Sequence, residues 1–453
     1  MNTDSMRFSL LFLFLLPVLF LLSCAPTTTH YAKVNQGLLQ QDYDYALKLI
    51  EENKENYAER NAALYYLEKG IISHYASNYQ ESNDSLARAE SIMDELYTKS
   101  ISKQVFSFLI SDNTIPYRGE DFENVMVNLF MALNYIGLGL EEDALVEARK
   151  VDNKLNIINS RYEEDKKNIY KEDAFIRFLM GVLYETGGEL NDSFISYRKA
   201  EEIYTNDYSQ NYGVSPSSFL IENLLSAAQA MDFQEEISEF QEKYTHVTYM
   251  NPAKKKEMAE IYFIHYNGLG PVKVEKSWQV TMPDMYIAKI AYPIFKRQNY
   301  QITQSEITLQ NVASDSSYQF ETALMEDIGS IAMMNLENKI NRIKTKAIAR
   351  ATTKYLATKA SSKEAEKKGG AMLGFVVQVA GNIVSVATEQ ADIRHWRLLP
   401  AEIGVGRVIV PPGDYEGKIE FVNAGGGVVS SKRVERFTVQ AGEKRFLIYL
   451  TRI

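Results

Sequence analysis

The side chains that most often carry catalysis are scattered in this sequence. No histidine has cysteine or carboxylate neighbours at a spacing suited to zinc; the histidines are His30, His74, His246, His265 and His395. We find no nucleophile elbow, no phosphate-binding Gly-Lys loop and no zincin helix in the sequence. The sequence therefore predicts a protein that is not an enzyme and that uses no metal or cofactor.

The single cysteine, Cys24, has a predicted chemistry of its own. The apolar run 8–22 follows Arg7 and is short for a membrane-crossing helix, as is typical of a secretory signal. The run Leu21-Leu22-Ser23-Cys24 resembles a bacterial lipobox. This resemblance implies lipidation of Cys24 and cleavage after Ser23; the alternative is an uncleaved anchor helix.

The residues after Cys24 predict where the protein is anchored. Ala25 and Pro26 follow it, and residues 25–29 contain no acidic side chain. In the lipoproteins that the lipobox resembles, an aspartate directly after the cysteine retains the protein in the inner membrane. Its absence, together with the lack of an acidic export cluster, implies an outer-membrane protein that faces the periplasm.

Length and charge limit the class of protein. The chain has 453 residues, 45% of them hydrophobic, which suggests two or three domains with ample core. Its formal net charge of −10 argues against a nucleic-acid-binding protein, which would normally carry a basic face.

The elements that must position any binding site are helices in the first half of the chain. Apolar residues recur at helical spacing from Tyr31 to about Tyr244. Small residues mark the second helix of four units, and three units have another small residue twelve positions upstream; the two sets are Ala46, Ser82, Ala144, Ser193 and Gly70, Ala132, Gly181. This pattern resembles a tetratricopeptide repeat (TPR) array. The units lie 36, 62 and 49 residues apart, so the array departs from the family's period of about 34 residues.

The TPR resemblance implies a concave binding face built from the first helix of each unit. The expected partner-binding positions are Leu67, Tyr75, Met126, Leu129, Leu133, Phe175 and Phe178, with Leu64, Ile71, His74, Ile136, Val182 and Glu185 beside them. Such an apolar face is suited to binding a helix or peptide of an unknown protein partner. Periodicity leaves a second interpretation open, in which the protein's own C-terminal half covers this face.

The loop Pro116–Glu123 has two interpretations. It is either the entry to a helix, with Asp121 as N-cap and carboxylates in the first turn, or a recognition loop that presents Arg118 and Glu120 beside the groove.

Several motifs narrow the resemblance to an uncharacterised family of bacterial TPR envelope lipoproteins. They are PYRGEDFE at 116–123, ALNY at 132–135, VEARK at 146–150, ADIRHW at 391–396 and LLPAEI at 398–403. The family implies a cell-envelope lipoprotein but brings no established activity. Within the fourth motif, ADIRHW, the residues Asp392, Arg394 and Trp396 predict a salt bridge and an aromatic ring that close a junction between helices and strands.

The second half of the chain changes to strand patterns. Strands are predicted at 259–265, 272–274, 286–291, 305–310, 408–410, 415–422, 434–439 and 446–451, separated by turns rich in Gly and Pro. The end of the chain resembles the small antiparallel β-sandwiches of bacterial envelope proteins.

A helical insert is predicted between these strand groups. Its first part has ten basic and two acidic residues between Lys339 and Lys368, and its second part, 371–387, is apolar. A narrow polar stripe crosses the second part at Gln378, Asn382, Ser385 and Glu389. The insert is either a hairpin whose apolar helix is buried in the domain, or a pair of helices that lies on an anionic membrane surface.

Taken together, the sequence predicts an α+β multidomain protein, in which a TPR-like α-solenoid precedes an antiparallel β-sandwich-like domain with a helical insert. The expected parts are a signal peptide (1–23), a lipid-anchored linker (24–30), the helical domain (31–248), a first β segment (249–317), the insert (318–392) and a final β segment (393–453). The expected function is that of a protein-binding scaffold in the cell envelope. Its expected contacts are a protein partner, the membrane through the lipid on Cys24 and, as a further candidate, peptidoglycan; no nucleic acid is expected to bind. The rival is an enzyme that binds or processes carbohydrate or peptidoglycan in its β domain.

Overall fold

The computed structural model describes residues 28–102, 112–160 and 169–452. The predicted signal peptide and Cys24 lie outside the described residues. Within them, helices in the first part of the chain are followed by strands, and one long helical segment interrupts the strands.

The described helices of ten or more residues are α1 Thr28–Leu39, α2 Tyr43–Glu52, α3 Ala62–Tyr75, α4 Tyr79–Ser102, α5 Asp121–Leu138, α6 Glu141–Asn159, α7 Ala174–Thr186, α8 Leu190–Ile203, α9 Ser218–Ala230, α10 Gln234–Lys243 and α11 Ile328–Thr388. Shorter turns of helix lie at Lys54–Tyr57, Glu59–Asn61, Asp112–Thr114, Tyr204–Tyr208, Ser209–Asn211 and Pro252–Lys255. Local sequence sets many of these ends. The side chain of Asp173 accepts a 2.8 Å hydrogen bond from the backbone N–H of Ile176 and caps α7, while Gly139 ends α5 in the left-handed conformation.

Small residues hold the helix pairs together, as the repeat pattern predicts. Ser82 Oγ on α4 donates a 2.8 Å hydrogen bond to the carbonyl of Gly70 on α3. Ser193 Oγ on α8 does the same to Gly181 on α7, at 2.9 Å. A Cβ at Gly181 would lie 2.4 Å from the ring of Tyr197, so the two helices can approach closely only because this residue is glycine.

The strands are β1 Ala259–Asn267, β2 Val272–Thr281, β3 Ile287–Lys296, β4 Ile302–Asn311, β5 Ser317–Glu321, β6 Ala323–Glu326, β7 Glu402–Val410, β8 Gly413–Asn423, β9 Val428–Val439 and β10 Lys444–Thr451. One sheet has the order β10-β1-β7-β6, a second has the order β5-β4-β8-β9, and β2 pairs with β3. Strands β1 and β10 are parallel, whereas the other neighbours are antiparallel. All strands predicted from the sequence lie within or overlap these elements.

Strand β1 is buried along its whole length. Its side chains Ile261 and Phe263 join the core between the two larger sheets. The alternate side chains Tyr262, Ile264 and Tyr266 join the core of the helical domain instead. Because successive side chains of a strand point to opposite faces, β1 lies between the solenoid and the second sheet.

The helical insert begins later than predicted. Residues 318–326, expected to be helical, form β5 and β6, because Tyr318 and Phe320 alternate with polar residues and pair with β4. Gly369 and Gly370 have non-helical backbone angles, and Gly370 has φ +78°, so α11 folds back there as a hairpin.

The Pro116–Glu123 loop also differs in detail from the prediction. Glu120, rather than Asp121, is the N-cap of α5, and its capping box with Glu123 satisfies the first backbone N–H groups.

Candidate functional site

The seven main positions predicted to form an open groove are all buried. Their exposed fractions are 0% for Leu67, Met126, Leu129, Leu133, Phe175 and Phe178, and 7% for Tyr75. These residues share one continuous core with Tyr262, Ile264 and Tyr266 of β1. The structure therefore has the second arrangement that periodicity left open, in which the C-terminal half covers the concave face.

Aromatic contacts join β1 to successive helix pairs. The ring of Phe178 on α7 lies edge-on to Tyr262, with centroids 6.1 Å apart. Further along the strand, Tyr266 contacts the rings of Phe130 on α5 and His74 on α3, at 5.8 Å and 5.3 Å. Phe130 was not among the predicted groove positions, although it belongs to the same apolar helix.

Hydrogen bonds fix the register of these contacts. Nε2 of His74 lies 2.9 Å from the hydroxyl of Tyr266, and its Nδ1 lies 2.6 Å from Oδ1 of Asn134. Tyr75 donates its hydroxyl to the carbonyl of Leu398, at 2.9 Å. Burial lowers the pKa of His74 to about 4, so this imidazole is neutral at pH 7 and acts as a structural hydrogen-bonding group.

A buried ion network fastens one end of β1 to the helices. Lys255 Nζ lies 2.6 Å from Glu185 on α7 and 3.2 Å from Glu260 on β1. Lys444 of β10 and Arg407 of β7 also pair with Glu260. Burial opposes the charge on Glu260, yet the surrounding Lys444, Lys255 and Arg407 hold its pKa below the ordinary value.

The predicted recognition loop lies at the other end of this interface. Glu120 forms an ion pair with buried Lys273 of β2, and Asp121 forms one with Lys339 of α11. Burial opposes ionisation of Glu120, but the charges of Lys273 and Lys339 lower its pKa to about 2. Arg118 is exposed on the same loop. Glu120 therefore joins two parts of the chain, whereas Arg118 faces solvent.

The two most distinctive sequence motifs meet at this loop. Arg394 forms the predicted salt bridge with Asp392, at 2.7 Å, and its guanidinium also donates to the carbonyl of Ile115, at 3.0 Å. Its guanidinium carbon lies 5.3 Å from the centre of the Tyr117 ring. The backbone N–H of Trp396 donates to Glu123, at 2.7 Å, and the Trp396 ring packs on Phe130. PYRGEDFE and ADIRHW thus form one joint between the solenoid and the β half.

Several buried charges were missed by the sequence analysis. Glu260 interrupts the apolar pattern of the strand predicted at 259–265, and that interruption is the signal that could have found it. Lys444 precedes the apolar run of the last strand, so its position carries no such signal. Glu68 is fully buried on α3, where Oε1 accepts the backbone N–H of Arg397 at 3.1 Å. Burial raises the pKa of Glu68 to about 8.

An open cleft follows the seam between the two halves. Its volume is about 600 Å³, and it is lined by residues of α9, of the segment before β1, of β5 and of β7; these include Glu222, Tyr249, Phe320, Arg407, Val408 and Ile409. In the described ranges, β6 pairs with β7 only around Ile403–Val405. No described strand pairs with this edge of β7 at Arg407–Ile409, although β5 lies beside it, where a Cβ at Gly406 would be 2.9 Å from the carbonyl oxygen of Glu321.

Among residues 28–102, 112–160 and 169–452, no group of three His, Cys, Asp or Glu side chains has a geometry that could hold a metal ion. Four histidines, His30, His74, His265 and His395, are instead separated in the interior, and His246 is exposed. His265 lies between Ser305 and Thr451, at 2.8 Å and 2.7 Å, and His395 contacts the carbonyl of Ile393 at 2.9 Å.

No protein-family model matches this chain, and no curated protein matches its sequence. Solved structures of TPR-like repeat proteins resemble parts of it. The match to a MamA RS-1 ArsTM double mutant spans 49% of this chain and 95% of the MamA chain, at 11% sequence identity and a TM-score of 0.31. The match to TPR-like repeats of a putative kinesin light chain from Podosopora anserina spans 49% of this chain and 93% of the other chain, at 12% sequence identity and a TM-score of 0.32. The match to the apo form of RapI spans 79% of this chain and 73% of the RapI chain, at 10% sequence identity and a TM-score of 0.35. These scores are too low to indicate a shared function.

Proposed function

We propose that this protein is a lipid-anchored scaffold of the bacterial cell envelope, which binds a protein partner on its outer surface. The occupied concave face carries this proposal, because β1 already makes the contacts that a groove-bound partner would make. A solenoid filled in this way is a support of fixed shape. Its partner then binds outside the groove.

The cleft along the seam is the surface that best suits such a partner. Its volume is about 600 Å³, and it combines the open edge of β7 with the half-buried rings of Tyr249 and Phe320. An extended polypeptide can add to an open strand edge through backbone hydrogen bonds, while apolar pockets select its side chains. We therefore assign an extended peptide segment of the partner to this cleft.

Photo-crosslinking in cells tests this assignment. Thr248 and Gln319 line the cleft and are exposed, so a photoreactive residue at either position should leave the fold intact. We expect a discrete adduct at both positions and none at Lys48, whose side chain on α2 is 71% exposed. Adducts at Lys48 with none at Thr248 or Gln319 would contradict the cleft assignment.

The membrane anchor in this proposal is the lipid on Cys24. It rests on the lipobox resemblance, and the residues that follow favour the outer membrane with the protein facing the periplasm. Labelling of cells with a radioactive fatty acid tests it. A Cys24→Ala variant should lose the label, whereas a Thr29→Ala variant should keep it; label on the Cys24→Ala protein would refute the anchor.

Purified peptidoglycan sacculi separate the scaffold from the rival enzyme. The scaffold proposal allows binding to sacculi but predicts that the protein leaves them intact. Release of soluble muropeptides by the purified protein would refute the scaffold proposal.

A further inference from the structure

The helical hairpin α11 is a structural feature that the scaffold proposal does not use. Gly369 and Gly370 divide it into a first limb, residues 328–368, and a second limb, residues 371–388. The limbs lie against each other, since Ser362 Oγ donates to the carbonyl of Gly374 at 2.8 Å. At the base, Arg350 and Lys354 of the first limb pair with Glu389, which is 1% exposed.

The second limb turns its polar side chains toward the protein. Gln378 donates to the carbonyl of Asp284 at 2.8 Å, and Asn382 donates to the carbonyl of Ile287 at 2.7 Å. Oδ1 of Asn382 also accepts the backbone N–H of Ile287, at 3.3 Å, and Ser385 is 7% exposed. The polar stripe noted in the sequence is thus the inner face, where it binds the turn between β2 and β3.

The apolar side chains of the same limb face solvent. They recur every three or four residues and are largely exposed: Met372 77%, Phe375 64%, Val379 41% and Ile383 61%. Leu373, Val376 and Val384 are also 41–53% exposed. An 18-residue window of α11 has a mean hydropathy of 1.7, and 11% of it is buried, so the expectation that the apolar helix is buried in the domain is wrong.

This arrangement inverts the usual polarity of a surface helix in water. A helix on a water-exposed surface buries its apolar stripe and exposes its polar one. Exposed apolar patches of this kind mark surfaces that are covered by another molecule or by lipid. Met285, next to the Asp284 that holds Gln378, is 80% exposed and adds a further apolar side chain near the hairpin.

The charge of the first limb distinguishes between possible occupants of this face. Residues 339–368 have ten basic and two acidic side chains in a protein with a net charge of −10. Lys359, Lys363, Lys367 and Lys368 are exposed along the part of the limb that approaches the turn. A second copy of the hairpin would bring the same positive charge alongside, whereas an anionic bilayer offers both an apolar layer and negative headgroups.

We propose that the hairpin formed by α11 inserts its apolar face into the surface of an anionic lipid bilayer. The second limb lies in the plane of the interface, with Met372, Phe375, Val379 and Ile383 in the acyl region and the lysines of the first limb at the headgroups. The limb does not span the bilayer, because the ten basic residues of the adjoining limb would be too costly to transfer across it. This contact is separate from the lipid on Cys24.

Vesicle flotation of the chain from Ala25 onward tests the hairpin without the lipid anchor. This chain contains every described element. We expect it to float with vesicles of phosphatidylglycerol and phosphatidylcholine and not with phosphatidylcholine alone. Phe375→Glu combined with Ile383→Glu should reduce binding at least about tenfold, because both apolar anchors would carry charge. Lys363→Glu combined with Lys367→Glu should also weaken binding and reduce its dependence on salt.

A matched control separates the hairpin from general apolar exposure. Val146 on α6 and Ile195 on α8 are 48% and 44% exposed, so their replacement by Glu should leave flotation unchanged. Circular dichroism of each variant checks that the fold is retained. Failure of the unmodified chain to float with either vesicle would overturn the proposal. A second result would also overturn it: absence of flotation, together with a dimer in light scattering that the combined Phe375→Glu and Ile383→Glu changes dissociate.

Discussion

The hydroxyl of Tyr266 lies 2.9 Å from Nε2 of His74, and this contact joins strand β1 to helix α3 across 192 residues of sequence. Both groups are buried, and Asn134 holds the other ring nitrogen of His74. One strand of the β half therefore completes the hydrogen bonding of the solenoid's concave face. The helical half and the β half therefore share one hydrophobic core.

His74 predicts how the stability of the protein depends on acid. Its pKa is lowered to about 4 in the folded chain, below the value of about 6.5 in the unfolded chain, so its contribution is complete above pH 6.5 and is lost as pH falls toward 4. His74→Gln should destabilise the protein at pH 7.5. The difference in unfolding free energy between wild type and variant should shrink by roughly 2 kcal/mol at pH 5. Urea unfolding at both pH values checks this, and a pH-independent difference would contradict a buried neutral imidazole.

Glu68 predicts a dependence of opposite sign. Its pKa is raised to about 8 when folded, above the ordinary value of 4.5, so its contribution is complete below pH 4.5 and is lost as pH rises through 8. Glu68→Gln keeps an oxygen to accept the N–H of Arg397 and cannot ionise. Relative to wild type, the variant should become progressively more stable between pH 5 and pH 8 in thermal unfolding. A constant difference over that range would show that Glu68 is not buried as described.

Gly181 tests the close packing of α7 on α8. A methyl group there would lie 2.4 Å from the Tyr197 ring, which is itself 0% exposed, so Gly181→Ala should destabilise the protein by about 1–3 kcal/mol. Gly187 provides the control, because it has φ −73° and a Cβ there would meet no atom closer than 3.6 Å. Gly187→Ala should change the free energy of unfolding by less than about 1 kcal/mol. Equal effects of the two changes would contradict the packing.

Lys273 tests the joint between the PYRGEDFE loop and the β half. Its side chain is 3% exposed and pairs with Glu120, so Lys273→Met would leave the Glu120 carboxylate without its main partner. We expect a loss of about 3–5 kcal/mol in urea unfolding, most of which is recovered when Glu120→Gln is added. Lys289→Met removes a more exposed pair with Glu275 and should cost less than about 1 kcal/mol. Additive effects of the Lys273 and Glu120 changes would argue against the ion pair.

The local parts of this fold could be predicted from the sequence, and the distant contacts could not. Gly70 and Ser82 lie twelve residues apart on adjacent helices, so their spacing alone predicted the pair that the 2.8 Å hydrogen bond now joins. The TPR resemblance assigned Phe178 and Tyr75 to the concave face, but it contained no information about what covers that face. Their contacts, Tyr262 and Leu398, come from the far half of the chain. Likewise, the stripe at Gln378 and Asn382 was visible, but its inward direction depends on backbone groups of Asp284 and Ile287.

The most direct test of the filled concave face is a double-mutant cycle on Phe178 and Tyr262, whose rings lie 6.1 Å apart across the interface of α7 and β1. The single variants Phe178→Leu and Tyr262→Leu and their double variant are compared with the unmodified protein by urea unfolding. A second cycle, on Phe178→Leu and Tyr415→Leu, is the control, because these two residues lie in different cores and their effects should add. A filled face predicts a coupling energy of about 0.5–1.5 kcal/mol for Phe178 with Tyr262. A coupling energy indistinguishable from that of the control pair would contradict it.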